Sequence, residues 1–203
     1  MKLITLMPEI DLEKCKGCQT CVRVCPVVAM KMEEKQAVVD VQRCRGCGGC
    51  EQRCPETAIT MIIREPVMAK VDIEGLDYEK IKQLCIKARF HPEQVVCYCT
   101  ATRAEELAGA ILLGAKSPED ISYMTGIRTG CKVECIQPAL RLLEAAGIDP
   151  KPVPGGWQWY GRTITAEEIP EQVKQKYASR GFYFDEDIEL LNRVVNAPLQ
   201  GKE

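Results

Sequence analysis

Eight cysteines near the start of the chain form two runs with the same internal spacing, offset by 29 residues. Each run reads C-x2-C-x2-C-x3-C-P, which is the spacing of thiolate ligands to [4Fe–4S] clusters. The first run is Cys15, Cys18, Cys21 and Cys25 before Pro26, and the second is Cys44, Cys47, Cys50 and Cys54 before Pro55. Because such clusters accept and release single electrons, the two runs predict one-electron transfer chemistry.

Zinc and disulfides are the competing explanations for these cysteines. Structural zinc sites use pairs of C-x2-C separated by a dozen or more residues, whereas each run here holds three closely spaced cysteines and a fourth beside proline. Disulfides would suit a secreted protein, but the segment before Cys15 has no apolar leader. No apolar run approaches the ~20 residues of a membrane span. We therefore expect a cytoplasmic protein in a reducing, oxygen-poor compartment.

Four further cysteines form two close pairs in the middle of the chain. Cys97 and Cys99 make a C-x-C pair, and Cys131 and Cys135 make a C-x3-C pair, with 31 residues between the pairs. Two close pairs suit a [2Fe–2S] centre, in which each iron takes two thiolates. Spacing alone leaves a four-cysteine zinc site and structural thiols as alternatives. Cys85 lies on the apolar face of a predicted helix, where a buried thiol is favoured over a ligand.

No catalytic site accompanies these cysteines in the sequence. No Gly-rich dinucleotide fingerprint follows a strand, no phosphate-binding P-loop motif occurs, and the only histidine, His91, lies beside Pro92 at a predicted helix end. The formal net charge of −2 and the pI near 5.7 give no electrostatic reason to expect nucleic acid as a partner. We therefore expect no catalytic residues and a role in carrying electrons.

Repeats and helix signals divide the chain into four parts and predict an α+β fold. The cysteine runs belong to two copies of one supersecondary unit, because an alanine and a methionine repeat with them, Ala29 with Ala58 and Met32 with Met61. The parts are a small unit of two pseudo-symmetric hairpin-and-helix halves at 1–66, a helical connector at 67–95, an all-helical domain at 96–148, and a Pro/Gly loop with a helical tail at 149–203.

Local patterns predict the individual elements. Short β-branched runs predict strands at 37–41 and 59–63, the first preceded by a turn at 33–36. Capping residues mark the helix starts. The predicted helices are 78–90 after an Asp77 cap, 102–113 with a Thr102/Glu105 capping box, one from Ser117-Pro118, 138–146, 165–177 with a Thr165/Glu168 capping box, and one after Asp185. The aromatic cluster at 157–160 is a candidate docking surface, with core packing as the alternative.

The two cysteine runs resemble the bacterial-type 2[4Fe–4S] ferredoxins over about residues 8–66. In that family the fourth cysteine of each run binds the cluster held by the other run. The resemblance therefore implies two crossed ligand sets. They are Cys15, Cys18, Cys21 and Cys54 for one [4Fe–4S] cluster, and Cys44, Cys47, Cys50 and Cys25 for the other.

The second constellation resembles the bacterioferritin-associated ferredoxin family over residues 96–147. The shared features are the C-x-C pair, a Thr-initiated helix, an Ile/Leu–Gly-Ala step, a Thr-Gly-rich approach to the third cysteine, and a closing helix. The last pair departs from the C-x2-C of the simplest members, because three residues separate Cys131 from Cys135. The resemblance implies one [2Fe–2S] cluster on Cys97, Cys99, Cys131 and Cys135.

The fusion of these two modules resembles the iron–sulfur components of multi-subunit, flavin-dependent dehydrogenases and oxidases acting on amino acids or related amines. This resemblance implies a hetero-oligomer in which an FAD subunit and further redox subunits are separate chains. An iron–sulfur cluster assembly or iron-mobilising binding protein is the alternative function.

Basic residues flank the cysteine runs, each within two residues of a predicted ligand. They are Lys14, Lys16, Arg23, Arg43, Arg45 and Arg53. These residues could simply form a charged surface exposed to solvent, and two functional explanations are equally open. Cationic side chains would stabilise reduced clusters and raise their potentials, or would form a docking face for an acidic partner.

Overall fold

The computed structural model describes residues 3–69, 72–152 and 161–200. Two units with separate cores hold the cysteines, and a tail follows them. The first unit contains β1 (Leu3–Ile10), α1 (Thr20–Val24), β2 (Met30–Glu33), β3 (Gln36–Val39), α2 (Gly49–Gln52) and β4 (Ile59–Ala69). The second contains α3 (Tyr78–Lys87), β5 (Val95–Cys97), β6 (Thr102–Arg103), α4 (Ala104–Leu112), α5 (Pro118–Thr125) and α6 (Ile136–Ala145). The mixture of helices and small antiparallel strand pairs confirms the predicted α+β class.

The first unit is built from two antiparallel strand pairs and two short helices. β2 and β3 form a hairpin in which Met30 pairs with Val39 and Glu33 with Gln36, so the predicted turn lies where expected. β1 pairs with β4 along its length, from Leu3 with Ala69 to Ile10 with Ile59. The N-terminal strand was not predicted, and β4 extends six residues beyond the predicted 59–63 strand. The cysteine loops lie between these strands and are held by them.

The second unit packs four helices around one apolar core. Ile81 of α3, Leu107 of α4, Ile121 of α5 and Leu142 of α6 are each at most 1% exposed. α3 therefore supplies one wall of this core, and the connector predicted at 67–95 is not separate from the domain that follows it. Asp77 caps α3 by accepting a hydrogen bond from the Lys80 amide, as predicted.

The prediction that residues 96–148 are all-helical is wrong in one detail. β5 and β6 form a short hairpin at the start of this unit, with Cys97 paired with Thr102. The predicted Thr102/Glu105 capping box is also wrong, because α4 begins one residue later, after Arg103. The Glu106 carboxylate accepts a 2.8 Å hydrogen bond from the Arg103 amide, and the Arg103 side chain has no acceptor with which to complete a capping box. Thr102 and Glu105 instead point inward and are buried.

The tail contains a 3-10 helix (Ala166–Glu168), α7 (Glu171–Ala178) and α8 (Phe184–Val195). The Thr165/Glu168 capping box is present, but the single helix predicted at 165–177 is wrong, because Pro170 lacks an amide proton and separates it into two. The tail returns to the end of α3, where the Ala197 carbonyl lies 3.1 Å from the His91 Nε2 atom. The aromatic cluster at 157–160 lies outside the described residues.

Candidate iron–sulfur sites

Cysteines of both runs line two separate cavities in the first unit. The first cavity takes three cysteines from the first run and one from the second, and the second cavity takes the converse set. Cys15, Cys18, Cys21 and Cys54 line the first cavity, and Cys25, Cys44, Cys47 and Cys50 line the second. Each cavity thus presents four sulfur donors between apolar side chains, which fits a [4Fe–4S] group.

The repeat extends from sequence to backbone conformation. Three pairs of positions 29 residues apart have positive φ angles in both halves, so each cysteine loop follows the same path. The pairs are Gly17 and Gly46 (70° and 60°), Gln19 and Gly48 (61° and 70°), and Val28 and Thr57 (54° and 47°). At Gly46 a Cβ atom would overlap the Leu6 carbonyl oxygen of β1. Glycine is required there both by the φ angle and by the approach of the loop to β1.

Backbone amides donate hydrogen bonds to the sulfurs in a repeated pattern. The Ala29 amide lies 3.2 Å from the Cys25 Sγ atom, and the Ala58 amide lies 3.3 Å from the Cys54 Sγ atom. These are the two cysteines that precede proline and cross to the opposite cavity. Amide donors to a sulfur stabilise its thiolate form, which is the form that binds iron.

Burial and hydrogen bonding move the thiol pKa values in opposite directions. Burial raises the pKa of Cys50 to about 12 and also raises the pKa values of Cys21 and Cys44. A hydrogen bond with the Thr20 hydroxyl lowers the pKa of the exposed Cys18. Because iron binds thiolates, loading of the buried thiols releases protons.

Two aspartates that the sequence reasoning missed shape both cysteine loops. Asp11 and Asp40 lie four residues before the first cysteine of each run. Each carboxylate accepts hydrogen bonds from the amides two and three residues later, at distances between 3.0 and 3.2 Å. Each carbonyl accepts a bond from the amide of that cysteine, Cys15 or Cys44. The signal was available, because these aspartates repeat at the same 29-residue offset.

The remaining predicted ligands meet at one end of the second unit, where we name them the four-cysteine site. The members are Cys97, Cys99, Cys131 and Cys135. Cys97 and Cys135 are buried, at 2% and 1% exposure, whereas Cys99 and Cys131 are exposed. The fold brings each cysteine of the first pair next to one cysteine of the second pair. The Cys97 and Cys135 thiols hydrogen bond, and the Cys131 amide lies 3.3 Å from the Cys99 Sγ atom.

The buried half of this site is surrounded by donors. The Thr100 hydroxyl lies 3.1 Å from the Cys97 Sγ atom, and the Arg128 amide lies 3.2 Å from the Cys135 Sγ atom. The hydrogen bond from Cys135, helped by Thr100, lowers the pKa of Cys97 to about 5, and the same contact raises the pKa of Cys135. Because thiolate is the form that binds iron, this lowering of the Cys97 pKa favours metal binding at that position.

A buried ion pair supports the loop that carries these donors. The Arg128 guanidinium and the Glu119 carboxylate lie 3.0 Å apart, with both side chains at most 1% exposed. Arg128 also has a φ of 63°, and its amide reaches Cys135. The pair thus ties the start of α5 to the backbone beside the four-cysteine site.

Cys85 lies on the buried face of α3, in the apolar core that also contains Cys97 and Cys135. It is fully buried among apolar side chains, and burial raises its pKa to about 12. In the part of the chain that the structure describes, no group of three or more His, Cys, Asp or Glu side chains is arranged around a single metal ion. The cysteines of the two runs instead line the first and second cavities. Within the described ranges, every helix is too short or too polar to span a bilayer.

Two known domain families match this chain, one in each of the two units. A family model described as a 4Fe-4S dicluster domain matches residues 7–55, and one described as a BFD-like [2Fe-2S] binding domain matches residues 95–145. The chain joins these two iron–sulfur domains. Both resemblances stated from the sequence are thereby confirmed, in the predicted order. No curated protein and no solved structure matches the chain.

The dicluster domain meets the BFD-like domain on the side of the second cavity. The Arg43 guanidinium and the Asp120 carboxylate of α5 lie 3.3 Å apart, and the Tyr123 ring packs beside Arg43 and Arg45. The Lys132 ammonium, next to Cys131, donates a 2.7 Å hydrogen bond to a carbonyl at the end of α1. These contacts hold the four-cysteine site against the second-cavity side of the dicluster domain.

A cleft of about 330 Å³ lies between the two domains at this contact, and we name it the junction cleft. Arg45, Gly46 and Cys47 line one wall, and Cys99 and Thr100 lie on the other. A ligand of the second cavity and a ligand of the four-cysteine site therefore face the same space.

Proposed function

We propose that the protein is an iron–sulfur electron-transfer subunit of an oxidoreductase complex. It would relay single electrons between an FAD-containing catalytic subunit and another redox partner. The proposal places [4Fe–4S] clusters in the first and second cavities and a [2Fe–2S] cluster in the four-cysteine site. The two iron–sulfur domains support electron transfer as the general role.

The junction cleft is the observation that carries this proposal. Cys47 and Cys99 line opposite sides of one cleft, so the predicted [2Fe–2S] cluster would lie next to the second cavity. The cysteines of the first cavity do not line this cleft. This order supports a relay from the four-cysteine site through the second cavity to the first.

The exposed half of the four-cysteine site is suited to face a partner. Cys99 and Cys131 are exposed, and the apolar side chains of Tyr98 and Val133 beside them are 78% and 68% exposed. Exposed aromatic and aliphatic side chains around a redox site favour close docking, which electron transfer requires. We place the flavin subunit on this face.

All electrons and protons of the proposed relay are accounted for without a catalytic residue on this chain. A reduced flavin on the partner subunit would supply two electrons and two protons, and clusters held by these cysteines would accept the electrons one at a time. The protons stay with the flavin subunit or pass to water. The described cysteines bind and orient the clusters, and a second redox protein accepts the electrons.

Anaerobic purification from the native source tests the proposal. We expect an FAD-containing chain to copurify in fixed ratio. We also expect redox titration followed by EPR to show one stable [2Fe–2S] signal and interacting [4Fe–4S] signals. Isolation of this chain alone, with ready loss of its [2Fe–2S] cluster to an apo-acceptor protein, would contradict the relay and favour cluster assembly or iron mobilisation.

A further inference from the structure

We propose that Arg45 raises the reduction potential of the cluster in the second cavity, and that Tyr123 of the BFD-like domain holds the Arg45 side chain in position. The inference rests on the [4Fe–4S] assignment made under the proposed function. Arg45 is then the residue that tunes the cluster, and Tyr123 is the positioning residue, at the point where the two domains meet.

Arg45 is a buried cation without a carboxylate partner among the described residues. Its side chain borders both the second cavity and the junction cleft, and the residue is only 9% exposed. Within the described ranges, its Nε and Nη1 atoms have no hydrogen-bond partner. An uncompensated buried charge is costly, so a counter-charge is expected close by. A cluster with four thiolates in the second cavity carries net negative charge and meets that requirement.

The neighbouring arginines are already engaged, which singles out Arg45. The Arg43 guanidinium pairs with Asp120 and donates a 2.7 Å hydrogen bond to the Val27 carbonyl. Arg64 donates to the backbone carbonyls of the segment that leads into the second run. Of these three arginines, only Arg45 borders the second cavity.

Tyr123 accounts for the placement of Arg45. The Arg45 Cζ atom lies 4.4 Å from the centroid of the Tyr123 ring, within the range of a cation–π contact. Tyr123 also packs against the small core formed by Val27, Ala29 and Cys44. The guanidinium lies over the ring, while the Nε and Nη1 atoms of Arg45 have no hydrogen-bond partner among the described residues.

The electrostatic consequence has a definite direction. Reduction adds one negative charge to a cluster, and a nearby buried cation stabilises the reduced form more than the oxidised form. Loss of the Arg45 charge should therefore lower the potential of the second-cavity cluster. In a relay, this would change the driving force for transfer from the four-cysteine site.

The repeat supplies a matched control. Lys16 lies 29 residues before Arg45 and borders the first cavity, but it is exposed and its ammonium reaches the Glu13 carbonyl at 3.4 Å. The two positions differ in burial and share formal charge and place in the loop. Solvent screening should therefore make Lys16→Gln the weaker perturbation of its own cluster.

The test is an EPR-monitored redox titration of the whole chain with all clusters loaded. In Arg45→Gln we expect one [4Fe–4S] midpoint to move to lower potential and the other midpoints to move less. Arg45→Lys should restore most of the shift, because it keeps the charge. Lys16→Gln should shift a [4Fe–4S] midpoint less than Arg45→Gln does. Unchanged midpoints in a fully loaded Arg45→Gln protein, or equal shifts in both variants, would overturn the proposal.

A second variant covers the case in which Arg45→Gln does not retain its clusters. Tyr123→Leu leaves both charge and ligands intact but frees the Arg45 side chain to reach solvent. We expect a smaller shift in the same direction, and an unchanged or raised midpoint would overturn the proposal. Wild-type protein without [4Fe–4S] signals would instead refute the proposed function itself, so the two failures are distinguishable.

Discussion

Neutralisation of Glu119 tests how the BFD-like domain holds the four-cysteine site. In Glu119→Gln the side chain keeps its size and one oxygen acceptor, but the Arg128 guanidinium loses its counter-charge. Both side chains are at most 1% exposed, so water cannot replace the carboxylate. The Arg128 loop also supplies the amide that bonds to Cys135. The substitution should therefore unfold this domain more easily and weaken cluster retention.

The size of the effect follows from the burial and the distance of the pair. Two unit charges 3.0 Å apart attract by about 5 kcal/mol at an effective dielectric constant of ~20. Removal of one partner from a buried pair typically costs about 3–5 kcal/mol. For a domain of this size, 1 kcal/mol lowers the melting temperature by roughly 4–8 °C. The expected decrease is thus at least about 12 °C.

Thermal unfolding, followed through the visible circular dichroism of the [2Fe–2S] group, measures this decrease. Asp120→Asn is the matched control, since it also removes a carboxylate from the first turn of α5. The Asp120 carboxylate is partly exposed and pairs with Arg43. This substitution should cost about 1 kcal/mol or less. The double variant Glu119→Gln with Arg128→Met should recover much of the loss. A decrease in Glu119→Gln no larger than in Asp120→Asn would refute the reasoning.

Three further predictions concern single residues. Cys99→Ala should abolish the [2Fe–2S] EPR signal and leave both [4Fe–4S] signals, whereas Cys85→Ala should leave all three; loss of a [4Fe–4S] signal in Cys99→Ala would disprove the ligand partition. Gly46→Ala should retain less iron than Gly114→Ala, because both have positive φ but only Gly46 lies against a backbone carbonyl; equal iron content would contradict this. Asp40→Ala should destabilise the dicluster domain by about 1 kcal/mol in chemical denaturation, since two amides lose their acceptor; unchanged stability would contradict it.

Spacing and capping chemistry made much of the fold predictable from sequence. The repeated runs determine the two halves of the dicluster domain, because each cysteine loop needs the same backbone path. Asp77 and Ser117 begin their helices where the sequence places a side-chain acceptor, and both accept the expected amide bond. These are local interactions, which a local pattern can specify.

Contacts between distant segments were not predictable in the same way. β1 has no strong strand signal of its own, and its position depends on pairing with β4, between 49 residues (Ile10 with Ile59) and 66 residues (Leu3 with Ala69) along the chain. Burial of Thr102 and Glu105 moves the start of α4 one residue beyond the predicted N-cap. Long-range packing decided both cases.

The candidate sites also combine features that a local sequence pattern predicts with features that depend on contacts between distant segments. Sequence spacing and family resemblance grouped the twelve cysteines into three predicted sites, but did not predict the contact between Cys97 and Cys135. The Arg45–Tyr123 contact joins residues 78 positions apart and has no local signature. The junction between the domains, on which the order of the relay depends, was therefore visible only in the structure.

Magnetic coupling between the clusters tests the proposed relay order most directly. In the fully reduced protein, we predict that the [2Fe–2S] EPR signal is split or broadened by the cluster in the second cavity. The coupling should disappear in Cys50→Ala, which removes a ligand from that cavity, and persist in Cys18→Ala, which removes one from the first cavity. An unsplit wild-type signal, or coupling lost only in Cys18→Ala, would contradict the account.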